Sequence, residues 1–288
     1  MCGIVGLHLR ERSLEPRLGE LLSAMLVQMV ERGPDSAGVA VYGDPRLSPP
    51  DREVVSLLGV TPAEAEAVLP GAVAVAAGAT TVVHAGAGLL AAVADTLPHA
   101  TVIGSGTDMA VLKGTGNPGE LAKSFELASV TGWQGVGHTR MATESAVTPE
   151  GAHPFSVGPG QCLVHNGSFA NHATIRRELR AQGVEFDSDN DSEVGARFVA
   201  HQLAQGAELE KALRLLCERF DGFYTLLVAT SDSFAVVRDA IACKPALVAE
   251  TGAWVAMASE YRALDVLPGI ENARIFEPEP EEVYVWRR

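Results

Sequence analysis

Cysteine is sparse in this 288-residue chain. Cys2, Cys162, Cys217 and Cys243 are widely spaced, with no Cys-x-x-Cys pair, which excludes a disulfide framework and fits a chain kept in a reducing cytosol. Long apolar runs are also missing. The longest, residues 71–95, is mostly Ala, Gly and Val and is broken by Thr80, Thr81 and His84, so it predicts short strands and a helix instead of a membrane span. No basic segment followed by an apolar one opens the chain, so no leader is expected and a cytoplasmic location is. Positive charge is scarce: 22 Lys+Arg stand against 36 Asp+Glu, a formal charge of −14. That balance excludes a general nucleic-acid or anionic-membrane binder, because phosphates would be repelled. The eight His residues are scattered, without a His-Glu-x-x-His or paired Cys/His spacing, and neither a metal nor a cofactor is expected. Aromatics make up 6% of the residues, but 47% hydrophobic against 20% charged is a composition that folds.

Periodicity places the elements. Residues 2–9 read as a strand at the very N-terminus. Leu18, Leu21, Leu22, Met25 and Met29 recur at helical spacing before Arg32-Gly33-Pro34, which predicts a helix over 15–31. A strand is expected over 36–42. Pro45, Pro49 and Pro50 then lead into a stretch of different texture, 52–108, rich in Ala, Gly and Val. It reads as an α/β insertion with strands at 54–58, 72–76, 81–84 and 101–103 and helices near 61–68 and 87–97. A strand at 109–112 precedes a helix at 118–128. Further on, strand 161–164 is expected to end at His165-Asn166-Gly167. A helix over 172–182 is expected to be capped by Asn171, and one from 191 to about 204 by Asp191-Ser192. A last helix, 208–219, leads to strands at 223–229, 233–238, 246–249 and 253–257. Strands and helices segregated in this way predict an α+β fold of stacked sheets covered by helices.

Two motifs invite a chemical reading. Gly114-Thr115-Gly116-Asn117-Pro118-Gly119 matches the dinucleotide fingerprint in form, but residues 131–143 hold no Asp or Glu for the ribose, so a turn feeding a helix is the better account. Cys2 matters through its position. Removal of Met1 would leave a thiol and a free α-amine on one residue. The amine titrates near about 8 and the thiol near about 8.5, so the amine can take the thiol proton without a separate histidine.

Polar segments accompany Cys2 in order: Arg-Gly-x-Asp-Ser-Ala-Gly from Arg32, Gly-His-Thr-Arg-x-Ala-Thr from Gly137, Ala-His-Pro-Phe from Ala152, His-Asn-Gly-x-x-x-Asn-His from His165, and Asp191-Ser192-Glu193. With Met-Cys-Gly-Ile-Val-Gly at the start, the set resembles the class II glutamine amidotransferases, which are N-terminal-nucleophile (Ntn) hydrolases. Arg238-Asp239, Lys244-Pro245 and Ala258-Ser259-Glu260 are similar to later landmarks of that domain. The resemblance covers residues 2 to about 44 and 109–262. It implies a four-layer αββα sandwich over 2–288, interrupted by the insertion at 52–108.

The residue roles that follow are implied by the resemblance. Cys2 is the nucleophile, Asn166 (side-chain amide) and Gly167 (backbone N–H) form the oxyanion hole, Arg140 clamps the α-carboxylate of L-glutamine, and Asp191 pairs with its α-ammonium. Arg32, Asp35, Ser36, His138, Thr139, Thr143 and His153 are expected to support the site. Met141 departs from the aromatic residue found at this place in several relatives, which bears on how the site closes. The signature reaches almost to the C-terminus and leaves no room for an ammonia-using domain. The implied partner is therefore a separate synthase subunit, as in standalone subunits related to glutamate synthase, among them that of N-methylglutamate synthase. Two alternatives stand beside it: a free-standing Ntn amidohydrolase acting on another amide, and a catalytically silent regulatory module.

Overall fold

The computed structural model describes residues 2–141 and 147–288. In chain order the first elements are β1 (Gly3–Leu9), α1 (Leu18–Val27) and β2 (Ser36–Tyr42), followed by β3 (Glu53–Leu58), α2 (Pro62–Val68), β4 (Val73–Ala77), β5 (Thr80–Ala85), α3 (Leu89–Thr96) and β6 (Thr101–Gly106). Then come β7 (Met109–Thr115), α4 (Pro118–Ser124), β8 (Gln134–Arg140), β9 (Phe155–Gly158), β10 (Gln161–Phe169), α5 (His172–Ala181), α6 (Asp191–Ala204) and α7 (Leu209–Arg219). The chain closes with β11 (Gly222–Ala229), β12 (Ser233–Arg238), β13 (Leu247–Glu250), β14 (Trp254–Ala258), α8 (Tyr261–Leu264), β15 (Arg274–Phe276) and β16 (Tyr284–Arg287).

Two antiparallel sheets lie face to face. One has the order β15-β13-β14-β1-β8-β2-β7 and the other β16-β12-β11-β10-β9. Between them, Ile4, Tyr42, Val111 and Val136 of the first meet Val164, Leu227, Phe234 and Val236 of the second. Tyr42 ties the layers by donating its hydroxyl to the Ala229 carbonyl at 3.1 Å. Close approach at this layer requires Gly6, where a Cβ would come within 2.5 Å of Leu227 Cδ2. On the outer face of the larger sheet, α1 buries Leu18, Leu21, Leu22, Met25 and Leu26, each worth about 1.5–3 kcal/mol. On the outer face of the smaller sheet α5, α6 and α7 bury Ile175, Leu179, Val194, Phe198, Leu213 and Leu216. The outcome is the expected four-layer αββα sandwich.

Strands β3 to β6 form a separate antiparallel sheet, in the order β4-β5-β3-β6. One face packs Val55, Leu57 and Val83 under α2 and α3 with Leu89, Val93 and Leu97. From the other face this unit covers the edge strand β7: the Val111 N–H donates to Ser56 Oγ at 2.9 Å and the Lys113 N–H to Thr80 Oγ1 at 3.1 Å. Unpaired edge groups that would otherwise template another strand are thereby satisfied.

Several local expectations need correction. The helix over 15–31 is α-helical only from Leu18 to Val27, with 3₁₀ turns at Arg12–Arg17 and Val30–Arg32; Pro16 cannot donate to an α-helical ladder. The helix expected over 118–128 ends at Ser124, because Glu126 adopts a left-handed φ of 52°. Asn117 accepts from the N–H groups of Gly119 and Glu120, so the glycine-rich hexapeptide is a helix cap. Strand β10 does not stop at His165-Asn166-Gly167 but runs to Phe169. Asn171 does not cap α5; its side chain bridges the Arg219 carbonyl and the Asp221 N–H. Asn190, not Asp191-Ser192, caps α6, accepting from the Ser192 N–H at 2.9 Å. Among the described residues no helix is long and apolar enough to cross a membrane.

Candidate active site

Cys2 immediately precedes β1, which lies between β14 and β8 in the middle of the larger sheet, and is only partly exposed. The start of the chain around it is held by three bonds. The Cys2 carbonyl accepts from Arg32 Nε at 2.9 Å and from Asn166 Nδ2 at 3.2 Å, while the Ile4 N–H donates to Ser259 Oγ at 2.9 Å. Arg32 is in turn fixed by Glu260 at 2.7 Å. A residue at the start of a chain frays unless it is tied down; here charge-assisted and buried bonds do so.

Arg140 ends β8 and is largely buried, at 8% exposure, with its guanidinium against Gly151. Its strand register pairs it with Ser36, and its carbonyl accepts from the Asp35 N–H at 3.1 Å. Asp35 and Ser36 thus sit beside Arg140 through the backbone, and the Ser36 hydroxyl is buried with no hydrogen-bond partner among the described residues. Thr139 faces the other way and donates to the Met29 carbonyl at 3.0 Å, which fixes β8 to the end of α1. Thr143 lies outside the described residues.

Asn166 and Gly167 come from the adjoining sheet, opposite Thr225 and Tyr224 of β11. Asn166 is buried and Gly167 exposed. The Asn-Gly pair reads as a turn in sequence, yet Gly167 stays in the ladder with a φ of 149°, where a Cβ would meet the Phe223 carbonyl at 2.0 Å. Only glycine fits there. Asp191 is the first residue of α6 and accepts from the Phe169 N–H at 2.9 Å, so β10 connects it to Asn166 and Gly167. A carboxylate in the first turn is also favoured by the helix dipole.

His138 and His153 lie beneath this site with ring centroids 4.2 Å apart, and His165 follows at 6.4 Å from His153. Burial pushes His138 down to about 3 and His165 down to about 4, and it also lowers His153 well below the usual imidazole range. All three are therefore neutral at pH 7, unsuited to proton uptake. His165 is oriented by Ser192, its Nδ1 lying 2.8 Å from Ser192 Oγ.

Sequence reasoning left some contributors without a role. Glu260 anchors Arg32. Glu193 accepts from the N–H groups of Asp187 and Ser188, both at 2.8 Å, and so shapes the loop before α6. Both belonged to quoted motifs, Ala-Ser-Glu and Asp-Ser-Glu, and that membership was their available signal.

Residues 138–266 match the family model described as a glutamine amidotransferase domain. Over 99% of its length the chain is 47% identical to a glutamine amidotransferase-like protein, GlxB, from Rhizobium meliloti, covering 98% of that protein. The chain belongs to the class II glutamine amidotransferases. A putative glutamine amidotransferase from Methanothermobacter thermautotrophicus is 29% identical, with 99% of each chain covered. The solved glutamine phosphoribosylpyrophosphate amidotransferase of B. subtilis superposes on this amidotransferase with a TM-score of 0.63 at 20% identity, covering 99% of this chain and 49% of that one. That likeness shows the fold, the four-layer αββα sandwich. Family membership makes the protein an enzyme of this amidohydrolase type.

Proposed function

We propose that this amidotransferase hydrolyses the side-chain amide of L-glutamine through Cys2 and delivers the ammonia to a separate synthase subunit, of the glutamate synthase or N-methylglutamate synthase type. The observation that carries the reading is the convergence on Cys2: Asn166 of one sheet reaches the Cys2 carbonyl of the other at 3.2 Å, and the same carbonyl is held by Arg32.

In this reading Met1 is removed and the freed α-amine takes the thiol proton of Cys2. The thiolate attacks the amide carbon. The tetrahedral oxyanion is stabilised by the Asn166 side-chain amide and the N–H of Gly167, an exposed residue of β10. Collapse of the intermediate, with the Cys2 α-ammonium returning its proton to the leaving nitrogen, expels ammonia and leaves a γ-glutamyl thioester, which water hydrolyses to glutamate. Arg140 takes the α-carboxylate in a bidentate fork, where a planar guanidinium outperforms an ammonium. Asp191 takes the α-ammonium.

Arg32 and Thr139 hold the strands that carry the nucleophile and the clamp, and Asp35 and Ser36 brace Arg140. His138 and His153 fill the space beneath it as neutral rings. We read residues 52–108 as an insertion into one amidotransferase domain spanning 2–288. In this reading the ammonia acceptor belongs to a hetero-oligomeric partner.

Replacing Arg140 by Lys tests the substrate assignment. The expected result is a KM for glutamine raised by about tenfold or more, equivalent to roughly 1.4 kcal/mol, with an unchanged thermal midpoint. Unchanged glutamine kinetics would remove the assigned role.

A further inference from the structure

Between the four-stranded unit and the sandwich lies a cavity of about 640 Å³ that the glutamine reaction does not use. Its size falls within the range of small-molecule sites, roughly 300–1,000 Å³. One wall is Lys113 of the edge strand β7, only 2% exposed. Among the described residues the Lys113 ammonium has a single distant hydrogen-bond acceptor, the Glu150 carbonyl at 3.5 Å, and it lies 5.0 Å from the centre of the Phe155 ring. An ammonium carries three donors, and leaving them unmet in a buried site is costly. Burial lowers this group to about 7, against the opposing pull of Glu150, Cys162 and Glu193.

The neighbouring carboxylates divide into two kinds. Glu193 is fully engaged by the Asp187 and Ser188 N–H groups, the Ser188 hydroxyl and Arg197. Glu150 is exposed at the rim, as is Asp187, which keeps one oxygen on Arg197 at 2.5 Å. Leu97, Ile103 and Val157 supply apolar wall. The cavity therefore offers a buried amine with no ion pair among the described residues, an acidic mouth and a greasy side.

We propose that this cavity binds an α-amino acid with a large apolar side chain, its carboxylate on Lys113, its ammonium toward Glu150 and Asp187, and its side chain against Leu97 and Ile103. Lys113 stands on β7, separated by β2 from the strand that carries Arg140, so this is a second amino-acid site apart from the proposed glutamine pocket.

Isothermal titration of the full chain with L-leucine, L-methionine and L-phenylalanine tests it, with 4-methylpentanoate and 3-methylbutylamine as probes lacking one charged end. At least one amino acid should bind one-to-one with a Kd below about 10 mM, and both single-charge probes should bind at least about tenfold more weakly. Lys113→Met should lose that binding at no cost in thermal stability, since an apolar chain replaces a buried charge. Arg140→Met, which disables the proposed glutamine clamp, should retain it. If Lys113→Met fails to fold, Ala94→Trp at the cavity mouth should abolish binding instead. The proposal is overturned if none of the three amino acids binds, if the charged-end probes bind equally well, if Lys113→Met or Ala94→Trp binds unchanged, or if Arg140→Met loses binding, which would put the ligand in the glutamine pocket.

Discussion

Lowering the pH from 7 to 5 should destabilise this protein by about 6 kcal/mol through His138, His153 and His165. The three imidazoles are 0%, 6% and 3% exposed, and neither ring nitrogen of His153 has a hydrogen-bond partner among the described residues. Burial is the main cause that holds all three below the ordinary imidazole value, with neighbouring positive charge adding to it for His153. In the unfolded chain each titrates near about 6.5. Below that pH the unfolded state binds more protons than the native one, so stability falls as pH falls, by about 1.4 kcal/mol per imidazole per unit. The loss continues until the folded values, about 3 for His138 and about 4 for His165, are reached. Integrated from pH 7 to 5, each contributes roughly 1.9 kcal/mol. His8 and His84, also lowered by burial, act in the same direction. Glu193, whose hydrogen bonds hold it low against burial, loses its contribution only at more acid pH. Since a domain has about 5–15 kcal/mol in hand, pH 5 should bring the protein close to unfolding. Urea unfolding followed by tryptophan fluorescence at pH 7, 6 and 5 measures this, with the midpoint expected to fall at constant slope. Stability constant to within about 1 kcal/mol over that range would refute the reasoning, because the rings would then be protonated in the folded state.

Two further outcomes are expected. Asn166→Ala should lower kcat for glutamine hydrolysis by about 10²–10³ while moving KM little; steady-state kinetics on the purified chain checks this, and an unchanged kcat would remove Asn166 from the oxyanion hole. Purification from the native source should recover the chain with a second, ammonia-consuming subunit; recovery only as a monomer or homo-oligomer with full ammonia-transfer activity would contradict the partner assignment.

The sequence was most legible where one periodicity ran unopposed. Strand β2 and the helices α6 and α7 carry strong patterns, and the structure has them within a residue of the expected bounds. The strand holding Arg140 was harder to see, because Gly135, Gly137, His138 and Arg140 give little strand propensity. It is a strand because β1 and β2 flank it on both sides. Asn166-Gly167 misled for the opposite reason: a local turn signal was overruled by the ladder to β11, which accommodates the unusual φ of Gly167. Short edge strands such as β9, β15 and β16 have too few residues to show alternation. The order of the motifs located the segments that meet around Cys2, but not the bonds between them. That Arg32 and Asn166 share the Cys2 carbonyl, or that Lys113 stands buried beside a cavity, depends on contacts between residues far apart in sequence.

Intact-mass and peptide mass spectrometry of acid-quenched protein after brief exposure to L-glutamine tests the central claim most directly. The account predicts that Cys2 is the N-terminal residue and carries a γ-glutamyl thioester that disappears as glutamate is released. Active protein that retains Met1, or that turns over glutamine with no adduct on Cys2, would contradict it.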